Sequence, residues 1–298
     1  MALSCALAAA LLGGCSTGDE VRILPPVQAP AETLSLDFDG SLEPSAAVLP
    51  LVPQDVATLT VTDFEQVRLQ MGKQDLTTET PRKDRDAFWA QAEAERPLLS
   101  QGMLRPIEPK LKQMFGLSQM DVSWEAHFLD AEGAETGFVV AFRDGTDMTA
   151  VRNAVSAGFV ALDGAVVDAE RGLAMAGTAA SGAQSWAADP AIRPLVGHPA
   201  NSTYVAHGCT DQTITGELDE LAVYSIQFEG TLVTARLGEG RLDLFDRMRA
   251  GIVVPPFAAA FDGGVADPLT GRIGYVMTDP AAAAALALEQ DLPFAACA

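Results

Sequence analysis

Four stretches of the chain share one pattern of apolar and polar positions. In each, apolar residues first alternate with polar ones, and after a polar turn they recur three and four residues apart. Alternation is typical of a half-buried strand, whereas the wider spacing is typical of an amphipathic helix. Each stretch therefore predicts a strand followed by a helix. The four stretches span residues 56–71, 137–155, 231–248 and 271–290.

Aspartates occupy the turns inside these stretches. Asp63, Asp147 and Asp279 stand where the helices would begin, and Pro280 occupies a first helical position. An aspartate at this place accepts hydrogen bonds from backbone amides that have no partner in the first turn. These acids are therefore predicted to be structural.

The order of the predicted elements indicates an α+β fold. Two halves each give the order βαββαβ, with two extra strands before the second. The later extra strand forms a hairpin with residues 231–237 that turns at Glu229-Gly230. We therefore expect two ferredoxin-like lobes with antiparallel sheets, at residues 54–200 and 201–298. The strands are predicted at 56–62, 122–128, 138–143, 164–176, 231–237, 257–261, 272–277 and 292–296, and the helices from 63 and at 147–158, 241–250 and 280–290.

A helical insertion at residues 75–116 interrupts the first lobe. Thr80-Pro81 favours a helix start, and Gly116 favours the end of a second helix. Such an addition to a regular unit is a natural place for a functional site. A helical pair that merely covers the sheet is the simpler interpretation.

The chain begins with an apolar run at residues 2–14 that ends in Leu12-Gly13-Gly14-Cys15. This segment resembles the lipobox leader of bacterial lipoproteins. The resemblance implies a signal peptide at residues 1–14, lipid on Cys15, and a membrane-anchored, extracytoplasmic protein. A short buried helix with a chance cysteine is the alternative, but an acidic, Pro-rich tract follows at once.

That tract, residues 15–53, lacks a sustained helical period and is predicted to be a tether between the anchor and the body.

The charge of the chain limits the classes of partner that it can bind. The 298 residues include 40 acidic and 19 basic ones, for a net charge of −21. Such a chain repels phosphate backbones, so nucleic acid is not expected as a partner. The abundance of Ala and Gly beside few lysines is typical of a high-GC genome. With the leader, the chain is similar to envelope lipoproteins of high-GC Gram-positive bacteria.

Four cysteines occur, at positions 5, 15, 209 and 297. Cys5 would leave with the leader and Cys15 would carry lipid, so Cys209 and Cys297 remain. In an oxidising compartment we expect these two to form a disulfide, the alternative being two separate buried thiols.

Little in the sequence indicates catalysis, a metal or a cofactor. The three histidines are His127, His198 and His207, and the common nucleophile, phosphate-loop and zinc motifs are absent. His207 and Cys209 could supply two metal ligands, but a second pair is missing nearby. We therefore predict neither catalytic residues nor a cofactor or metal site.

Three functions remain open. The leading hypothesis is a non-catalytic envelope lipoprotein that binds a partner protein or a small ligand at the interface between its lobes. A hydrolase of cell-wall or extracellular material that uses paired carboxylates is the second, with Asp144 and Asp147 or Asp262 and Asp267 as examples of acidic pairs. A structural spacer is the third.

The leader yields a direct prediction. Mass spectrometry of protein from its native host should find a mature chain that begins at Cys15 and carries diacylglycerol. Cys15→Ala should leave an uncleaved or mislocalised precursor, with Cys5→Ala as the control that is processed normally. Recovery of an unmodified chain with another N-terminus would contradict the lipobox assignment.

Overall fold

The computed structural model describes residues 36–212, 214 and 217–298. The predicted leader, Cys15 and the first part of the tether lie outside the described residues. The described residues form one compact unit. None of the helices within the described ranges is long and apolar enough to cross a bilayer.

One antiparallel sheet organises the described part of the chain. Its ten strands lie in the order β4-β5-β3-β2-β1-β6-β7-β8-β10-β9. The strands are β1 Thr58–Asp63, β2 Val122–Leu129, β3 Glu135–Phe142, β4 Val166–Asp168, β5 Leu173–Ala176, β6 Ser202–His207, β7 Val223–Glu229, β8 Leu232–Arg236, β9 Phe261–Asp267 and β10 Arg272–Met277.

Eight α-helices accompany this sheet within the same described residues. The helices are α1 Pro44–Ala47, α2 Phe64–Gln70, α3 Arg82–Glu95, α4 Glu108–Phe115, α5 Met148–Ser156, α6 Leu244–Val253, α7 Pro255–Ala260 and α8 Pro280–Leu288.

The predicted caps are confirmed, because the side chains of Asp63, Asp147 and Asp279 each accept a hydrogen bond from a backbone amide of the helix that follows.

The sheet consists of two similar halves. Three consecutive strands, β1 to β3, form a meander, and α5 then leads to β4 while β5 inserts between β3 and β4. β6 to β8, α6, β9 and β10 repeat the same order. The halves meet where β1 pairs with β6, with Thr60 opposite Tyr204. The described chain thus has an approximate twofold repeat.

This topology corrects the predicted lobes. The α+β class is confirmed, but two separate ferredoxin-like sheets are not, because β1 pairs with β2 and with β6 in one continuous sheet. In a βαββαβ lobe the first strand would instead lie beside the third and fourth. The repeat is real, but its unit begins with three strands in sequence.

Two predicted strands are also wrong, and proline explains both. Residues 257–261 mostly belong to α7, which starts with Pro255 and Pro256. Residues 292–296 contain a short 3-10 helix that starts at Pro293. Proline lacks the amide that a sheet requires and fits the first turn of a helix.

The core lies on both faces of the sheet. On one face, α2 to α5 cover the first half and α6 to α8 cover the second. On the opposite face, residues 48–52 and 186–196 cover apolar side chains of the central strands, among them Leu59, Phe128 and Val205. The segment at 48–52 is therefore part of the core.

The predicted tether thus ends earlier than residue 53. α1 starts at Pro44, and Val48, Leu49 and Val52 are buried in the cluster on the second face. The backbone of Val52 also accepts a hydrogen bond of 2.9 Å from the amide of Trp186. The prolines of this segment suggested a loose tether, but the apolar residues between them pack on the sheet.

The predicted disulfide between Cys209 and Cys297 is present, with Cα atoms 5.0 Å apart. Beside it, Thr210 donates to the carbonyl of Ala295 at 2.8 Å, and Cys297 donates to the carbonyl of Thr210 at 3.1 Å. The bond closes a loop of 88 residues, which limits the conformations of the unfolded chain. It fastens the segment after α8 to the end of β6.

The segment before β1 can be tested with two leucines. Leu49→Ala should lower the free energy of unfolding by about 2–5 kcal/mol, because a buried leucine leaves a cavity. Leu42→Ala is the matched control, since Leu42 is 38% exposed and Leu49 is 2% exposed. Urea unfolding measures both variants, and an equal, small loss in each would show that residues 44–52 do not stabilise the body.

Candidate functional site

The helical insertion predicted at residues 75–116 is confirmed and forms a groove. α3 and α4 make two of its sides, and the loop at 101–106 makes a third. The groove has a volume of about 750 Å³, which is within the range of ligand sites. Its lining residues include Glu79, Arg82, Arg85, Asp86, Trp89, Gln101, Arg105, Glu108, Lys112 and Gln113.

Trp89 on α3 provides the aromatic part of this groove. Phe64 and Phe88 contact its ring edge to face, which fixes the indole orientation. The guanidinium of Arg105 lies 4.9 Å from the ring centroid. The Nε1 atom of Trp89 is buried and donates to no protein atom among the described residues. A buried donor without a partner is costly, so an acceptor supplied by a ligand would be favourable here.

Ion pairs line the walls of the groove. Arg85 is nearly buried and pairs with Glu108 at 2.6 Å, while Arg82 pairs with Asp86 at 3.3 Å. Arg85 also donates to the carbonyls of Thr78 and Thr80. These bonds hold the two helices and the loop before α3 at a fixed spacing. Glu79 is the third acid of the wall, and its Oε1 lies 3.8 Å from the Nζ atom of Lys112.

The insertion also differs in charge from the rest of the chain. Residues 75–116 hold seven basic and seven acidic residues, so their net charge is zero. The remainder therefore carries the whole net charge of −21, with 33 acidic and 12 basic residues. An acidic or polar ligand would meet less repulsion at the groove than elsewhere on the protein.

Glu125 on β2 fixes the rim of the groove from below. Its carboxylate is fully buried and accepts hydrogen bonds from the Ser100 hydroxyl at 2.7 Å, the Met103 amide at 2.9 Å and the Gln119 side chain at 2.8 Å. Gln119 in turn accepts from the amide of Leu104 at 2.8 Å. The loop at 101–106 is thus held by a satisfied polar network, which makes the groove preformed.

His127, two residues along the same strand, completes this network. Its Nδ1 atom lies 2.7 Å from Glu135, and its Nε2 atom lies 3.6 Å from Glu125. Burial lowers the pKa of His127, but the two carboxylates outweigh that effect and raise the pKa to about 9. A protonated His127 then offsets the charge of Glu125.

The remaining sequence candidates do not converge on the groove. Cys209 is in the disulfide, and no group of three potential ligands for a metal ion occurs among the described residues. Asp147 caps α5, and Asp262 and Asp267 lie on β9. None of these acids lines the groove.

Sequence reasoning missed Trp89, Arg105 and Glu125. Glu125 alternates with Trp124 and Ala126, so its position suggested a solvent-facing carboxylate. Only the helical insertion that lies over β2 makes it buried. A charged residue in the middle of a strand was the one available indication.

Comparisons with protein-family models, with curated proteins and with solved structures found no match for this chain.

The His127 network yields a pH prediction. Because the pKa of His127 rises from about 6.5 to about 9 on folding, its contribution to stability should be complete below pH 6.5 and disappear as the pH rises through 9. Glu135→Gln removes one carboxylate, so the pKa of His127 measured by NMR should fall. Glu132→Gln, in the exposed turn of the same hairpin, is the control. An unchanged pKa in the Glu135 variant would contradict this account.

Proposed function

We propose that the protein is a lipid-anchored, extracytoplasmic lipoprotein of the cell envelope that binds a ligand or partner protein and does not catalyse a reaction. In this proposal a signal peptide at residues 1–14 is removed and Cys15 carries the acyl chains, such as palmitate. Binding takes place in the groove of the helical insertion. The buried, unpartnered Nε1 of Trp89 beside Arg105 is the observation that carries the proposal.

The chemistry of the groove favours a polar ligand with an acceptor group. The indole of Trp89 is 3% exposed and supplies a donor, while Arg105 and Lys112 keep part of their side chains exposed at the groove. Such a set suits a ligand with a carbonyl or carboxylate group. A peptide segment of an envelope protein and a small organic molecule both meet that description.

The groove replaces the site that we expected between two lobes. Since β1 and β6 pair directly, the junction of the two halves is part of a continuous sheet. On its helical side the junction is filled by buried residues such as Thr60, Ser202 and Tyr204. The insertion carries the groove of about 750 Å³ instead.

A hydrolase with paired carboxylates receives less support from this geometry. Each acid that lines the groove lies within 4 Å of a basic side chain, namely Glu79 with Lys112, Asp86 with Arg82 and Glu108 with Arg85. General acid–base catalysis requires a carboxyl within hydrogen-bond reach of the substrate, and each of these three already pairs with a cation. The walls are therefore suited to binding.

Charge variants on two surfaces can test the proposal. Arg82→Glu with Gln113→Glu changes the groove, and Arg152→Glu with Asn153→Glu makes the same change in charge on the exposed side of α5. The lipidated wild type and both variants are immobilised and incubated with solubilised envelope and with an extract of small molecules. The proteins and small molecules that each one retains are then compared. We expect the groove variant to lose what the wild type retains and the α5 variant to keep it. Equal retention by both variants would contradict a binding role for the groove.

A further inference from the structure

We propose that Arg236 on β8 and Arg272 on β10 form a second site, which binds the anionic end of a carboxylate or phosphate compound. The two arginines are direct partners in the antiparallel register of these strands. They lie on the face of the sheet opposite the core formed with α6 and α8, because their neighbours Ala235 and Ile273 face that core. The site shares no lining residue with the groove.

Two like charges opposite each other destabilise an antiparallel pair of strands. The chain has 40 acidic residues and only 19 basic ones. Carboxylates that could pair with these two arginines are therefore plentiful. Within the described residues, Arg236 nevertheless forms no ion pair, and Arg272 has only a contact of 3.4 Å with Asp267. Two guanidinium groups in this arrangement can hold one oxyanion between them.

The Nε atoms of both arginines are already engaged, and Nη2 of Arg272 lies 3.4 Å from Asp267. Both terminal nitrogens of Arg236 and Nη1 of Arg272 are left for a ligand. The Nε of Arg236 donates to Gln227 at 3.0 Å, and Gln227 itself donates to the carbonyl of Leu195 at 3.1 Å. The Nε of Arg272 donates to the Thr270 hydroxyl at 2.8 Å. Both guanidinium planes are therefore oriented before a ligand arrives. Preorganised, planar donors of this kind recognise carboxylate and phosphate groups.

A small cavity accompanies the arginines. Its volume is about 190 Å³, and it is lined also by Pro194, Leu195, Gly238, Glu239 and Thr270. This volume suits one anionic group better than a whole ligand of ordinary size. The rest of the compound would extend over the exposed sheet face beyond.

The neighbouring charges are consistent with an anion. Burial and Arg272 lower the pKa of Arg236, and burial, Arg236 and Arg272 lower the pKa of His198 while Glu229 opposes them. Glu239 lines the same cavity but forms no ion pair with either arginine in the described part of the chain. An oxyanion bound here would offset the repulsion among Arg236, Arg272 and His198 that contributes to these lowered pKa values.

Thermal unfolding and calorimetry of the full mature chain test the site, with inorganic phosphate and acetate as probes and chloride at equal ionic strength as reference. We expect at least one probe to raise the Tm. Phosphate alone would assign a phosphate group, acetate alone a carboxylate, and both would assign an unselective oxyanion site. No stabilisation by either probe beyond chloride would overturn the proposal.

Arg272→Gln should weaken binding of the effective probe by about tenfold or more, since a charged hydrogen bond is lost. Arg249→Gln removes the same charge from an exposed position on α6 and should bind within about twofold of the wild type. In chloride, Arg272→Gln should not lower the Tm, because it relieves repulsion. If that variant fails to fold, Arg272→Lys keeps the charge, loses the planar donor and should also bind about tenfold more weakly. Equal binding by the Arg272 and Arg249 variants would show unspecific screening.

Discussion

The pairing of β1 with β6 is the constraint on which the rest of the structure depends. Each half of the repeat would otherwise end in a strand with unpaired amides and carbonyls, and the two strands satisfy one another in a five-residue register. The register sets Thr60 opposite Tyr204, so the helices of both halves lie on one face of the sheet. α3 from the first half can then contact α8 from the second.

The groove depends on the same pairing. The segment before its rim rests on the junction, where the amide of Ser100 donates to Thr62 on β1 at 2.9 Å and the amide of Leu99 lies 3.4 Å from the hydroxyl of Ser202 on β6. Glu125 then fixes the next residues from β2. The adjacent strands β2, β1 and β6 therefore position this loop together, although β6 belongs to the second half and the loop to the first.

The second half is held together by a buried cluster of charges at the start of α6. Arg247 is fully buried and donates to Asp243 at 2.5 Å and to the carbonyls of Phe294 and Ala296. Burial raises the pKa of Asp243, but the hydrogen bonds from Arg241 and Arg247 outweigh it and lower the pKa to about 2. The segment after α8 is therefore held by two attachments, namely the hydrogen bonds from Arg247 and the disulfide of Cys297. The desolvation of these charges is offset by complete hydrogen bonding.

The sequence predicts the local structure well and the pairing of distant strands poorly. Alternation and Asp caps locate β1, β3 and the helices that follow, because these features act over a few residues. They do not say which strands are neighbours, so the repeat was assigned to separate lobes. Residues 44–52 were misjudged for a related reason, since their burial depends on Trp186 and its neighbours far along the chain. The burial of Glu125 likewise depends on an insertion that the strand pattern does not record.

The central pairing also has a consequence for the time course of folding. β1 and β6 are separated by more than a hundred residues, whereas β2 and β3, or β7 and β8, are consecutive. Contacts so distant in sequence form late, because a long loop must close first. A chain that emerges N-terminus first during synthesis would assemble the first five strands while β1 still lacks its second neighbour. Until residues 202–207 arrive, β1 can be joined by the β6 of another molecule, so exchange of halves between two chains is the misfolded product that this architecture favours.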